Sequence, residues 1–403
     1  MKKLLFLFSL IVLFSCSDDF ENLSKIRLDN SSRQEVKIRN LEKVKNIAKG
    51  YMANSQFQGK RMVESINEQD SLEIEVLTLQ LLDEIQNSDS EAPIAQLPAK
   101  VSSTTRATQD TVMYAVKTGT CTLLIPAFEN AAPIFAEMDD PNFSWRILGQ
   151  NVGGMRNPLE HLIVPALDKN YWEIFGMDTC KVWQRIELED WESWLYKDVV
   201  WPKLEVNWDQ NDPFNKYCPG YYHAGCVAIA TAQALTITRN WDSFNGIPLN
   251  YDNLIKMKTS EDKYKYPNEA DTIARLIRYI GDAVNMNYGE TASEARTIDA
   301  INYFFKPNMN VSSERLDYRN ILKKPKGIII VSSRTEYNGG EGHAYNIDGF
   351  KTYLNYQNFY HVNFGWGTGK TYNGYFLEGI ILLEFTGNPK LTFPYNMTLY
   401  SIY

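Results

Sequence analysis

Cys226 stands where a thiol can become a nucleophile. It follows Gly225 and opens the run Cys226 to Arg239 (CVAIATAQALTITR), which has small apolar residues and no helix breaker, so a buried helix is expected there. A helix N-terminus and a neighbouring imidazolium both lower a thiol pKa, and the thiolate is the attacking species. The same placement also suits a small packing residue, and the local context fits both. A base must come from four histidines: His161, His223, His343 and His361. His161 falls in the N-terminal half, His223 lies three residues before Cys226 on the same loop, and His361 sits inside the strand-like FYHVN. His343 follows Gly339-Gly340-Glu341-Gly342 at the expected start of a strand, and is the best candidate.

Competing chemistries find less support. His223 and Cys226 have a ligand-like spacing with Cys218 near, but a structural zinc needs four ligands in compact pairs and no second pair exists. No G-x-S-x-G flags a serine nucleophile. No cofactor is called for, because side chains can supply both attack and proton transfer.

The elements that position these groups follow. Length, at 403 residues, suggests two domains plus a leader. Charged residues at 22% and aromatics at 13% describe a folded chain with a sizeable core, not a disordered one. A net charge of −8 with no basic cluster argues against nucleic acid as a partner. Lys2 and Lys3 precede an apolar run, Leu4 to Phe14, that is short for a membrane span and reads as an export leader. It ends in Leu13-Phe14-Ser15-Cys16, which resembles a bacterial lipobox. Ser17-Asp18-Asp19 resembles the acidic signals of surface lipoproteins in Bacteroidetes. That resemblance implies lipidation at Cys16, palmitate included, and an outer-membrane or cell-surface location, with attachment by lipid alone. With Cys16 acylated and Cys226 an active thiol, an odd three cysteines remain, so few or no disulfides are expected.

Residues 17–200 read as one N-terminal domain and residues 201–403 as another. Helical periodicity is expected over Leu72 to Ile85, a polar linker at Ser102 to Arg106, and a hairpin from VMYAVKT to CTLLIPAF turning at Gly119-Thr120. A charged, Trp-rich helical stretch is expected from about Tyr171 to Tyr196. Beyond it, a second amphipathic helix (Ala274 to Ile280) precedes strands at Gly327–Ser332, Ala344–Gly349, Phe359–Asn363 and Ile380–Phe385. Helices first and a mostly antiparallel sheet after them is the α+β pattern.

Four ordered blocks then resemble the streptopain family of papain-like cysteine peptidases. Gly225 to Ala234 (GCVAIATAQA) is similar to its nucleophile helix, G-C-V-A-T-A-x-A-Q. Asn285 to Gly289 (NMNYG) with Ser293 resembles its N-M-x-Y-G…S segment. Gly342-His343-Ala344 with Ile347-Asp348-Gly349 resembles its base strand. Phe359 to Gly367 (FYHVNFGWG) with Asn373 to Phe376 resembles its close, F-Y-H-V-N-W-G-W-G…D-G-F-F. More weakly, Met113 to Phe143 resembles the family pro-domain.

This resemblance implies a papain-like catalytic domain, a helical part plus antiparallel sheet, behind an α+β pro-domain. It implies Cys226 as nucleophile and His343 as general base and acid, resting as a thiolate–imidazolium pair. Gln210, in Trp208-Asp209-Gln210…Pro213-Phe214-Asn215, matches the family's W-x-Q-x-x-P-Y-N and would complete the oxyanion hole with the Cys226 N–H. Asn363 would orient the His343 ring and Trp366 would shield that bond from water. The implied activity is cysteine endopeptidase action on protein or peptide substrates, kept latent by the chain's own pro-domain. Two other functions share parts of this pattern: a Cys/His amidase acting on cell-wall peptides, and a non-catalytic surface lipoprotein that inhibits proteases. An inhibitor needs none of Cys226, His343 and Gln210. Three departures bear on substrate preference: Phe364 where the family has Trp, a lengthened loop over Thr368 to Tyr372, and Glu341 beside the base.

Overall fold

The computed structural model describes residues 38–56, 72–78, 80–81, 111–129, 131–149, 151–152, 155–156, 196–290, 292–313, 317–336, 339–354, 357–367, 372–378 and 395–403. The leader with Cys16, the linker at 102–106, His161, Cys180, nearly all of the stretch at 171–196 and the strand expected at 380–385 lie outside them. Residues from Ile38 to Tyr403 form one compact unit.

In chain order the described elements used below are α1 (Leu41–Gln56), β1 (Glu73–Thr78), β2 (Thr111–Lys117), β3 (Thr122–Pro126), β4 (Ala136–Met138) and β5 (Tyr196–Val200). After these come α2 (Cys226–Thr238), α3 (Pro267–Ala283), β6 (Val311–Ser312) and α4 (Tyr318–Lys323). The chain closes with β7 (Ile328–Glu336), β8 (Gly339–Tyr353), β9 (Asn358–Asn363), β10 (Gly374–Leu377) and β11 (Tyr395–Ile402). Eleven strands form one sheet in the order β1-β2-β3-β4-β10-β9-β8-β7-β11-β6, with β5 also pairing β8. Every pairing among them is antiparallel, as expected for an α+β chain.

The two halves of the chain share that sheet. β4 pairs with β10 through Gly374↔Met138, Tyr375↔Glu137 and Phe376↔Ala136. Gly374 suits this seam, because a Cβ there would lie 2.3 Å from the Glu137 carbonyl. In β7, Ile329 and Val331 enter a core shared with β1 to β4, while Ile328 and Ile330 enter a second core built around α2 and α3. A strand covered on both faces carries an unbroken apolar run, which is why GIIIV lacks alternation.

α2 is apolar nearly all round, with Val227 to Thr236 buried throughout, as a helix packed on several sides must be. α3 carries one apolar stripe, Ala270, Ile273, Ala274, Leu276, Ile277 and Ile280, and begins with Pro267, whose missing N–H costs nothing at a helix start. The expected hairpin is present as β2 and β3. The helix expected over Leu72 to Ile85 is corrected in its first half, where Glu73 to Thr78 is a strand paired with β2 and Ile74 and Val76 alternate with Glu73 and Glu75 at the strand period; Gln80 and Leu81 are helical, and 82–85 lie outside the described residues. A helix at Leu41–Gln56 escaped notice because its sequence is mostly polar. Asn40 caps it by accepting a hydrogen bond from the Lys43 N–H at 2.8 Å.

Candidate active site

Cys226 is the first residue of α2. Its N-cap, Gly225, has φ +87°, a conformation that favours glycine, and a Cβ there would press on the Met286 thioether at 2.7–2.8 Å. The loop before it is clamped from outside, since Ser293 Oγ donates to the His223 carbonyl at 2.6 Å. This accounts physically for the Met286 and Ser293 block: it props up the turn that presents the thiol.

Cys226 is half-buried at the head of α2, where the backbone N–H groups of Ala344, Val227 and Cys226 itself favour its charged form. Burial pushes the thiol pKa up, and those three donors pull it back in part. Cys121 and Cys218 are likewise free thiols. Burial pushes the Cys121 thiol to about 12 and the Cys218 thiol to about 11, too high for either to be a nucleophile near neutrality.

His343 lies within β8, opposite Ser333 of β7, and does not begin the strand as the glycines suggested. His343 is buried, 5% exposed. It stacks on Trp366 with centroids 4.7 Å apart, and Tyr345 and Phe364 extend the aromatic wall. Nε2 lies 3.0 Å from the Phe364 carbonyl. A carbonyl only accepts, so the ring proton sits on Nε2 and Nδ1 keeps its lone pair, buried without a hydrogen-bond partner. Burial lowers the imidazole pKa to about 4, with the Phe364 bond opposing. Burial therefore disfavours the charged form of either group taken singly.

Both residues line a cavity of about 600 Å³, with Gln210, Asn287, Arg296 and Arg334 among its other walls. Every lining residue lies between positions 210 and 400, so among the described residues none from the N-terminal half enters it. Gln210 is buried, and its carbonyl accepts from the Ala224 N–H at 2.9 Å, which ties the Trp208 segment to the turn before Cys226.

Asn363 does not bond the imidazole itself, as the sequence suggested. The Phe364 carbonyl does, and Asn363 acts one step back: its Oδ1 accepts from the Gly365 N–H at 3.0 Å, the other end of the same peptide unit. Sequence reasoning missed this, because a backbone carbonyl has no residue type to announce it. His361 was passed over as a base, and it lies between Asp348 Oδ1 at 2.5 Å and Asp139 Oδ2 at 2.9 Å.

A thiol at the start of a buried helix thus shares one cavity with an imidazole on an antiparallel strand. Residues 208–376 match the model of the peptidase C10 family, which is the streptopain family. The resemblance read from the four motif blocks is borne out over that stretch, and the chain carries a cysteine-type endopeptidase there. A solved structure of a prointerpain A fragment from Prevotella intermedia is similar at 18% identity and a TM-score of 0.48, covering 72% of this chain and 95% of that one. No curated protein sequence matches the chain.

Proposed function

We propose that the chain is the exported, lipid-anchored zymogen of an endopeptidase that cleaves peptide bonds in proteins through a Cys226–His343 dyad. The observation that carries the dyad is that Cys226 and His343 line one cavity, with the buried Nδ1 lone pair of His343 left without a hydrogen-bond partner. Nδ1 takes the thiol proton as Sγ attacks the scissile carbonyl. The Cys226 N–H and the Gln210 amide hold the oxyanion, a donor of this kind contributing roughly 100- to 1000-fold in rate. The imidazolium then protonates the leaving amine, the acyl-thioester forms, and water activated by His343 releases the acid product. Trp366 covers the His343–Phe364 bond.

Residues 17–200 act as the inhibitory pro-domain and residues 1–16 as the leader ending at the lipidated Cys16. Support for a pro-domain comes from its mode of attachment. β4 extends the enzyme's own sheet at β10, and Glu137 and Asp139 reach the buried Lys351 and His361. A tethered segment docks at high effective concentration and is lost once cut and diluted.

The test follows intact mass of the chain from Ser17 onward, beside Cys226→Ala, in reducing buffer. Self-trimming to a C-terminal fragment in the first and not the second is expected. If neither trims, both are compared on unfolded casein and on peptidoglycan fragments after limited trypsin treatment. Equal inertness on both substrates refutes catalysis, and activity on peptidoglycan alone makes the enzyme an amidase. Lipidation is tested separately by incorporation of labelled palmitate into the full chain, lost in Cys16→Ser.

A further inference from the structure

Gln233 lies seven residues after Cys226, two turns along α2, and is fully buried in a helix otherwise made of small and apolar residues. Its Oε1 accepts from Asn346 Nδ2 at 3.0 Å. Its Nε2 donates to the Trp208 carbonyl at 3.2 Å and to Asn363 Oδ1 at 3.3 Å. One amide thus ties the nucleophile helix to the strand that carries His343, three residues before Asn346, and to the end of β9. It also holds the Trp208 carbonyl, two residues from Gln210.

The bond to Asn363 leads further. Asn363 is fixed on its other side, with Nδ2 donating to the Val206 carbonyl at 3.1 Å and to Asn207 Oδ1 at 2.9 Å. Its Oδ1 receives both Gln233 Nε2 and the Gly365 N–H. That N–H and the Phe364 carbonyl belong to one rigid peptide plane, so orienting the N–H orients the acceptor of His343 Nε2. Asn373 steadies the neighbouring plane by accepting the Phe364 N–H at 3.0 Å. Both ends of the Gln233 and Asn363 amides are bonded, while Asn346 Oδ1 is buried without a partner, and in such a buried chain each bond polarises the next.

We infer that Gln233 is a positioning residue of the dyad, setting the imidazole of His343 against the thiol of Cys226 through Asn363 and the Phe364–Gly365 peptide. The inference rests on the proposed dyad. An apolar side chain in that place would hold the helix by packing alone. The Asn363 amide would then lose its brace and the peptide plane would turn. A misplacement of about 1 Å in reacting groups costs on the order of 100-fold in rate.

The experiment uses the full chain from Ser17 in three variants, Gln233→Met, Gln233→Glu and His343→Ala. The rate at which iodoacetamide labels Cys226 is read by peptide mass across pH, and kcat and KM are read on a fluorogenic peptide after activation. For Gln233→Met, kcat falls about 10- to 100-fold with KM within about twofold, and the labelling profile moves toward that of His343→Ala. Gln233→Glu supplies the same acceptor, and it supplies a donor only when protonated. Its kcat relative to the unmutated enzyme therefore rises as pH falls, burial keeping that carboxyl protonated further toward neutrality. A folded Gln233→Met with unchanged kcat and labelling profile overturns the inference. If Gln233→Met does not fold, a Gln233→Glu profile parallel to the unmutated enzyme overturns it. An active His343→Ala refutes the dyad itself, which separates that failure from this one.

Discussion

Lys351 Nζ reaches Glu137 Oε2 at 2.6 Å across the seam where β4 meets β10. The Lys351 side chain is 2% exposed and lies over the Tyr375 ring, 3.8 Å from its centroid. Burial works against its charge, yet Glu137 outweighs it and holds the ammonium pKa above its ordinary value. Glu137 also accepts from Tyr51 of α1 at 2.5 Å, so one carboxylate joins helix, seam strand and the strand of the base. A buried lysine deprived of its partner is left uncompensated.

Glu137→Leu is therefore expected to destabilise the full chain by about 3–5 kcal/mol, the usual cost of breaking a buried pair from one side. Under the pro-domain proposal it also speeds self-trimming, because the docked segment opens more often. Urea unfolding and the time course of intact mass check both. Asp139→Asn should do much less, since the Asp139 side chain is 41% exposed and its ion pair is screened by solvent.

Two of the three histidines in residues 201–403, His343 and His361, predict opposite slopes of stability with pH. Around His361, burial opposes the charge but Asp348 and Asp139 outweigh it, raising the pKa to about 10. The folded state then binds the extra proton between about 6.5 and 10, so this contribution is full below 6.5 and is lost as pH rises toward 10. His343 is lowered to about 4, so the unfolded chain binds more protons between about 4 and 6.5, and stability falls as pH drops through that window. Melting temperature against pH should flatten above 6.5 in His361→Asn and below 6.5 in His343→Asn. Unchanged curves would refute the assignment.

Gly365 has φ +75°, and a Cβ there would meet Ile229 Cγ2 at 3.0 Å. Gly365→Ala should cost about 1–2 kcal/mol from the left-handed backbone alone. It should also lower kcat, because its own N–H shares the peptide plane with the carbonyl that holds His343. A variant that melts lower but keeps full kcat would show that the plane tolerates rotation.

Trp366→Ala removes the ring stacked 4.7 Å from the imidazole and admits water to the His343–Phe364 bond. Loss of about 1 kcal/mol from that bond corresponds to roughly a fivefold to tenfold drop in kcat. With burial relieved, the imidazole pKa moves up from about 4 toward its ordinary 6.5, visible in the acid limb of kcat/KM.

Some of this architecture was written locally and could be read locally. Gly225-Cys226 and the small residues after it put a thiol at the head of a buried helix, where the helix dipole favours a charged sulfur. Gly342-His343-Ala344 and the FYHVN strand were legible by alternation and by order along the chain. Misreadings came where period and context conflict: Leu72 to Ile85 has enough leucine to look helical, yet pairing with β2 makes Glu73 to Thr78 a strand. Polar Leu41–Gln56 became a helix because it buries Val44, Ala48 and Tyr51 against strands about 70 residues away.

By itself the sequence marked Cys226 as the candidate nucleophile and His343 as the best-placed histidine to serve it, and, within residues 201–403, showed helices ahead of an antiparallel sheet. Those facts are carried by residue type and short spacing. Only the tertiary structure decided who holds the base. The partner is a main-chain carbonyl, braced through Asn363 by an amide on the nucleophile's own helix 130 positions earlier in the chain. It also decided that the two halves of the chain share one sheet and a buried Glu137–Lys351 pair 214 positions apart. Contacts of such separation depend on how strands are ordered in space, and no local pattern encodes that order.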